Sequence, residues 1–214
     1  MDDLTNEEII LAGLGEVDGR RGRMSKVRRA AKSEIGASPY RRHFLERVQK
    51  LPRNLQQELM RGKAQISDAP YYATAEIKGT RSELIKLSVS EETGITNIDN
   101  GKLNKDRYLT LSGIRLLFDK DSINGSFTDP FPPELLNGEW ELELNGQTVF
   151  QKQPIRKFFD GFYGYNTTKP FGLYLVDSPK VVQPQTPIEF NVDVPSELKG
   201  YLKVFLEGIS VYNF

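Results

Sequence analysis

The spacing of hydrophobic residues changes near residue 67. Before that point, apolar side chains recur at the three- and four-residue spacing of one face of an amphipathic helix. The clearest such stripe consists of Tyr40, Phe44, Val48 and Leu51. From Tyr71 onward the period is two, which is typical of strands with one buried face. The pattern therefore predicts a helical N-terminal arm over residues 1–66 and a β domain over residues 67–214.

Within the second part, eight segments are candidate strands. They are residues 72–77, 84–89, 108–118, 139–144, 148–154, 172–176, 188–192 and 201–212. The segments between them are too short or too irregular to be crossover helices, so antiparallel pairing is favoured. Strands of this number, joined by long loops rich in proline and glycine, predict an antiparallel β-sandwich or single jelly roll that follows the helical, basic arm.

Two of these strands alternate most clearly between apolar and polar residues. In the first, Glu139, Glu141 and Glu143 share one face, with Trp140, Leu142 and Leu144 on the other. In the second, Ile188, Phe190, Val192 and Val194 alternate with Glu189, Asn191 and Asp193. Asn145-Gly146 follows the first strand and predicts a tight hairpin to the next. Glycoside hydrolases use a pair of carboxyl groups on either side of the scissile bond. Three carboxylates on one face of one strand are instead typical of a solvent-exposed face, and we interpret them so.

The composition excludes several classes of chemistry. The chain has no cysteine and a single histidine, His43, which lies among arginines. Disulfide frameworks, thiolate metal sites, cysteine nucleophiles and sites that need two imidazoles are therefore excluded. We assign no chemistry to His43 and can name no nucleophile–base pair. We expect a protein that is not an enzyme and that uses neither a cofactor nor a small-molecule substrate.

The formal net charge of zero conceals an uneven distribution along the chain. Residues 1–19 carry six acids and no base, residues 20–63 carry fourteen bases and three acids, and residues 64–214 carry fifteen bases and twenty acids. The densest basic run consists of Arg20, Arg21, Arg23, Lys26, Arg28, Arg29 and Lys32. Such a run is typical of a segment that binds nucleic acid, an anionic membrane or an acidic protein surface. A solvated helix face is the alternative.

Two loops, one beginning at Asp119 and one at residues 158–165, are candidate binding sites. Asp119, Asp121 and Asn124 faintly resemble a calcium loop but lack the spacing and the closing glutamate, so a polar turn is favoured. The second loop concentrates five rings, which suit a stacking platform for sugars or bases, or an anchor between subunits. These rings are Phe158, Phe159, Phe162, Tyr163 and Tyr165. The alternative is a loop that packs under its own sheet.

Several segments of the β domain resemble one family of viral proteins. Residues 95–103 and 108–116, then 171–176, 182–190 and the last strand to Phe214, are similar to segments of single jelly-roll capsid proteins of tailless icosahedral bacteriophages. The resemblance covers roughly residues 80–214 and lies in the style of strand and loop. It implies a virion structural protein that assembles with itself and with other virion proteins in the host cytoplasm.

The same resemblance implies a shell subunit or a vertex (penton) subunit, and an arm that contacts neighbours, genome or inner membrane through residues 20–63. A domain of this length suits one jelly roll, whereas many such phages build the main shell from two, which favours the vertex role. Two other hypotheses remain open. One is a carbohydrate-binding or adhesion module acting through residues 158–165, and the other is a nucleic-acid-binding protein acting through the basic arm.

Overall fold

A computed structural model describes residues 47–67, 70–159 and 171–213 of the chain. These residues form two compact units. The smaller unit holds residues 47–67 and 211–213, and the larger holds residues 70–159 and 171–210. Within these ranges, no helix has the length and apolar character that crossing a bilayer requires.

Within its described residues, the smaller unit contains helical residues at 47–49, one complete helix and one short strand. Helix α1 (Arg53–Met60) follows Pro52, buries Leu55 and Leu59, and is followed by Gly62 at a φ of +65°. A positive φ at glycine is a common way to end a helix, because glycine has no Cβ to clash. Strand β1 (Ala64–Ser67) pairs with the last strand of the chain, where Tyr212 Oη donates a 3.1 Å hydrogen bond to Oε1 of Gln65. The sequence pattern had not predicted β1.

The larger unit is a curled antiparallel sheet. Its strands are β2 (Tyr71–Ile85), β3 (Arg107–Asp119), β4 (Glu139–Leu144), β5 (Gln147–Pro154), β6 (Leu173–Val182) and β7, which spans Ile188–Asn213 and ends in the smaller unit. A short helix α2 (Pro133–Leu136) precedes β4, and a 3-10 turn (Ile155–Phe158) follows β5. The mainly β, antiparallel prediction is confirmed.

Strand β7 organises the sheet because its two halves have different neighbours. Its first half pairs with β4 from Glu139↔Asp193 to Leu144↔Ile188, and with the end of β2 on its other side. Its second half lies between the start of β2 and strand β3. Consequently the described strands are joined by hydrogen bonds into one sheet of order β5-β4-β7-β3-β6, with β1 and β2 also paired to β7.

The buried face of this sheet carries the core. Alternate residues of β7 point into it, with Phe190 and Val192 from the first half and Leu202, Val204 and Leu206 from the second. Strand β2 pairs with both halves of β7, with a shift in register between Gly79 and Arg81. The largest core side chain is Trp140, which stacks on Phe190 at an interplanar angle of 11° and a centroid distance of 5.4 Å.

The predicted hairpin is confirmed. Asn145 and Gly146 have φ angles of +54° and +70°, and Leu144 pairs with Gln147 across the two-residue loop. Two positive φ angles identify a type I′ turn, the geometry that Asn-Gly favours. The predicted strands 72–77 and 84–89 lie differently, because β2 runs through Gly79 to Ile85 as one strand. Likewise 188–192 and 201–212 belong to the single strand β7.

Candidate functional site

Most of the predicted arm lies outside the described residues. This applies to the seven bases Arg20, Arg21, Arg23, Lys26, Arg28, Arg29 and Lys32, and also to Tyr40 and Phe44. The other two members of the predicted helix-docking stripe, Val48 and Leu51, are each 4% exposed in the smaller unit. Their burial shows that this end of the stripe packs within the protein.

Of the five rings of the aromatic loop, two lie among the described residues and three do not. Phe158 is buried against Trp140 at a ring distance of 5.4 Å, and Phe159 lies 4.5 Å from Phe131. Phe162, Tyr163 and Tyr165 lie outside the described residues. The first ring of the loop is therefore part of the core, and the second is half-buried against Phe131.

Asp119 is the organising residue of the loop that faintly resembles a calcium site. Its Oδ1 accepts from the backbone amides of Ser122 and Asp121 at 2.9 and 3.0 Å, and its Oδ2 accepts from Phe127 at 3.2 Å. These amides, Ser122 first, hold the pKa of the Asp119 carboxyl below its ordinary value. A carboxylate whose oxygens are engaged this way holds a polar turn, and among the described residues no acidic or imidazole cluster suits a metal ion.

Lys203, on the outer face of β7, is surrounded by rings. Its Nζ lies 4.7 Å from the centroid of Tyr72, 5.4 Å from Phe127 and 5.7 Å from Phe205, and it donates a 3.0 Å bond to the carbonyl of Gly94. Burial lowers the pKa of this amine. Tyr72 Oη in turn accepts from the amide of Gly94. Cation–π contact and these bonds fasten the turn at residues 92–96 onto the sheet, which is a structural role.

A cleft of about 280 Å³ lies beside β2. Its wall is largely apolar, with Ala73, Leu84 and Ile98, and an ion pair of 2.8 Å between Lys78 and Glu76 stands at its margin. Ala75 of β2 also lines the cleft. Its volume is at the lower end of the range for ligand pockets.

Strand β6 is one edge of the sheet and exposes apolar side chains. Leu175 is 57% exposed, Phe171 just before the strand is 52% exposed, and Val181 is 41% exposed. Between Leu175 and Lys180, residues 176–179 bulge away from β3, where only Ser112 lies opposite them. An apolar edge strand offers both unpaired backbone groups and a contact surface to another chain.

The outer face of β4, β7 and the end of β2 is strongly acidic. Strand register places Glu139 directly opposite Asp193 and Glu143 directly opposite Glu189, while Glu83 lies opposite Asn191. We call this surface the acidic face; it comprises Arg81, Glu83, Glu139, Glu141, Glu143, Glu189, Asn191 and Asp193. Six carboxylates and one guanidinium leave it a formal charge of −5.

Arg81 and Asn191 lie at the centre of the acidic face. Arg81 Nη2 lies 2.7 Å from Glu141 Oε1, and its Nη1 lies 3.4 Å from Asp193 Oδ2. Asn191 is 4% exposed and donates through Nδ2 to Glu141 Oε1 at 3.4 Å. Its Oδ1 is buried and has no hydrogen-bond partner within the described residues.

Sequence reasoning found the three glutamates of β4 and assigned them to a solvent face, and the structure confirms that they lie opposite the buried Trp140. It missed the acidic face as a whole. The alternation of the polar residues Glu189, Asn191 and Asp193 is visible in the sequence. The residues that lie opposite them depend on which strands pair and in what register, and a single sequence does not determine this.

Comparison of the chain with protein-family models, curated proteins and solved structures finds no match.

Proposed function

We propose that this chain is a structural protein of a virion. In this proposal it self-assembles, with other virion proteins, into an icosahedral capsid as a shell or vertex (penton) subunit, and its curled sheet is a single jelly roll. Its basic arm contacts neighbouring subunits, genome or inner membrane. The resemblance of residues 80–214 to phage capsid proteins and the mainly β, antiparallel fold support this assignment.

The observation that carries the proposal is the apolar edge at β6. Phe171, Leu175 and Val181 expose apolar surface along a strand that pairs on one side only among the described residues. Burial of such surface contributes about 25 cal/mol per Å². A strand edge of this kind suits contact with another subunit, and contact between subunits is the activity of a capsid protein.

Electron microscopy and sedimentation of the purified full chain test the proposal. We expect closed particles or discrete oligomers whose fraction rises with protein concentration. Leu175→Glu with Val181→Glu should reduce assembly by at least roughly tenfold, because charge at an apolar contact must be desolvated. Both side chains are exposed, so the variant should keep its thermal stability.

A matched control is Leu87→Glu with Val89→Glu, which changes two exposed apolar residues outside β6. This control should assemble like the unaltered chain. A full chain that stays monomeric at every concentration would contradict the proposed function. Normal assembly of the β6 variant would show that this edge is not the contact.

A further inference from the structure

We propose that the acidic face of one subunit binds the basic segment Arg20–Lys32 of a second copy of this chain. The inference deepens the proposed function and rests on it, since it presumes that copies associate. It assigns a surface and a partner segment to that association, and the partner chemistry is a run of guanidinium and ammonium groups.

The acidic face is unfavourable in an isolated subunit. Directly opposed side chains in an antiparallel pair have Cβ atoms about 4.5–5.5 Å apart, and like charges at that distance destabilise the pairing. Glu139 with Asp193 and Glu143 with Glu189 are two such pairs, four residues apart on the same two strands, with Glu141 opposite Asn191 between them. A cationic partner across this face converts the repulsion into attraction.

Arg81 shows how the face receives a guanidinium. This one side chain bridges Glu141 on β4 and Asp193 on β7 through separate nitrogens. Glu83, Glu139, Glu143 and Glu189 surround this bridge, and no ion pair within the described residues engages them. They are the positions at which further arginines would bind, with the planar fork that suits carboxylates.

Asn191 independently indicates that a hydrogen-bond donor binds at the acidic face. It is 4% exposed at the centre of the face, and its Oδ1 accepts no hydrogen bond within the described residues. A buried acceptor without a donor is costly, whereas arginine and lysine supply N–H donors and no acceptor. A guanidinium or ammonium group bound at this face would carry the kind of donor that Asn191 Oδ1 lacks.

The sequence of the chain contains a complementary segment. Residues 20–32 carry seven bases and no acid. The acidic face carries six carboxylates and one arginine, a formal charge of −5, and the segment carries seven positive charges. Electrostatic complementarity of this kind determines which surfaces pair and in what orientation.

The test uses full-length variants of each side of the contact. The face variant is Glu83→Gln, Glu139→Gln, Glu143→Gln and Glu189→Gln, which keeps Glu141 and Asp193 for Arg81. The arm variant is Arg28→Glu with Arg29→Glu. The control carries the same number of neutralised acids elsewhere in the larger unit, at Glu91, Glu92, Asp106 and Glu197, all of them exposed.

Sedimentation velocity should show that the face variant and the arm variant each associate at least roughly tenfold more weakly than the unaltered chain, because charged contacts across interfaces are lost. The control should associate normally. Thermal unfolding of the face variant should be unchanged or shifted upward, since like-charge repulsion is removed. A purely structural role of these acids would shift it downward and would overturn the proposal.

Mixing the two defective variants decides whether the contact is made between copies. The arm variant keeps its acidic face and the face variant keeps its basic segment, so native mass spectrometry should detect a 1:1 complex of the two. Two weakened variants that do not complement each other would overturn a contact between copies.

The remaining outcomes separate the two proposals. If the unaltered chain assembles and the face variant assembles equally well, the acidic face is not the contact, and the proposed function stands. If the face variant is weakened and the arm variant is not, the basic segment is not the occupant. A chain that never associates contradicts both proposals together.

Discussion

Asp119 determines the course of the chain from β3 into the next loop. Three backbone amides of the loop that follows β3, at Asp121, Ser122 and Phe127, donate to this one carboxylate. Gly125 is required beside it, because a Cβ at this position would occupy the space of the Asp119 carboxylate. The sequence predicted a polar turn here. That Asp119 is its central acceptor follows from the directions of the three backbone N–H groups, which only the structure shows.

Asp119→Asn should therefore lower the melting temperature at neutral pH, because an amide nitrogen replaces one acceptor oxygen. The pKa of Asp119 is lowered in the folded state, so its stabilisation is complete above the unfolded value of about 4 and is lost as the pH falls through the lower folded value. Melting temperatures of both proteins between pH 7 and pH 2 should converge below about pH 4.

The control for this prediction is Asp121→Asn. Its carboxylate is 78% exposed and makes one long contact of 3.9 Å with Lys120, so its melting temperature should stay close to that of the unaltered chain. A difference between Asp119→Asn and the unaltered chain that persists undiminished at low pH would contradict the role assigned to the charge.

At the scale of elements, β7 shows how a strand can continue through residues that normally interrupt one. Pro195 lies between two strands that the sequence pattern predicts as separate. In the structure, residues 194–197 lie between Asp193↔Arg81 and Leu198↔Gly79, where β2 has a single residue, Thr80. Proline lacks an amide donor, and at this break in register none is required. The continuity of β7 therefore depends on its partner strand.

The hairpin between β4 and β5 is the element that the sequence predicted best. Gly146→Ala should lower the free energy of unfolding by about 1 kcal/mol, because a Cβ in the left-handed region clashes with its own backbone. Nothing else lies within 4 Å of that position, so the loss is conformational. Urea denaturation measures it, and Gln147→Ala is an exposed neighbour that should change little. Equal stability of both variants would show that the turn tolerates a side chain.

At the largest scale, one aromatic cluster connects the larger unit. Trp140 lies within 5.5 Å, centroid to centroid, of Phe150, Phe158, Tyr174 and Phe190, which belong to β5, the 3-10 turn, β6 and β7. Tyr174 lies on β6, at the other end of the strand order from β4 and β5, so its contact with Trp140 requires the curl of the sheet. The cluster explains why Phe158, which the sequence assigned to a contact loop, is buried.

Trp140→Ala should lower the free energy of unfolding by about 3–5 kcal/mol through lost burial and the cavity that remains. Trp140→Phe should cost less, since it keeps a ring and removes an indole Nε1 that has no partner within the described residues. Urea unfolding measures both, with the exposed Gln151→Ala as control. A loss below about 1 kcal/mol for the alanine variant would show that the cluster does not support the unit.

The sequence alone determined the mainly β, antiparallel character of the larger unit, the alternation within β4 and the first half of β7, and the Asn145-Gly146 turn. These are local properties, since side-chain period and turn conformation depend on neighbouring residues. The uneven charge along the chain was equally visible.

Only the tertiary structure decided which residues face each other. It joined two predicted strands into β7, buried Phe158, and placed Glu139 opposite Asp193 and Glu143 opposite Glu189. Register between strands is a property of residue pairs, separated here by about fifty positions in the chain, and it is set by which face of each strand is buried and by the connections between strands. The acidic face therefore exists in the fold and not in any one segment of the sequence.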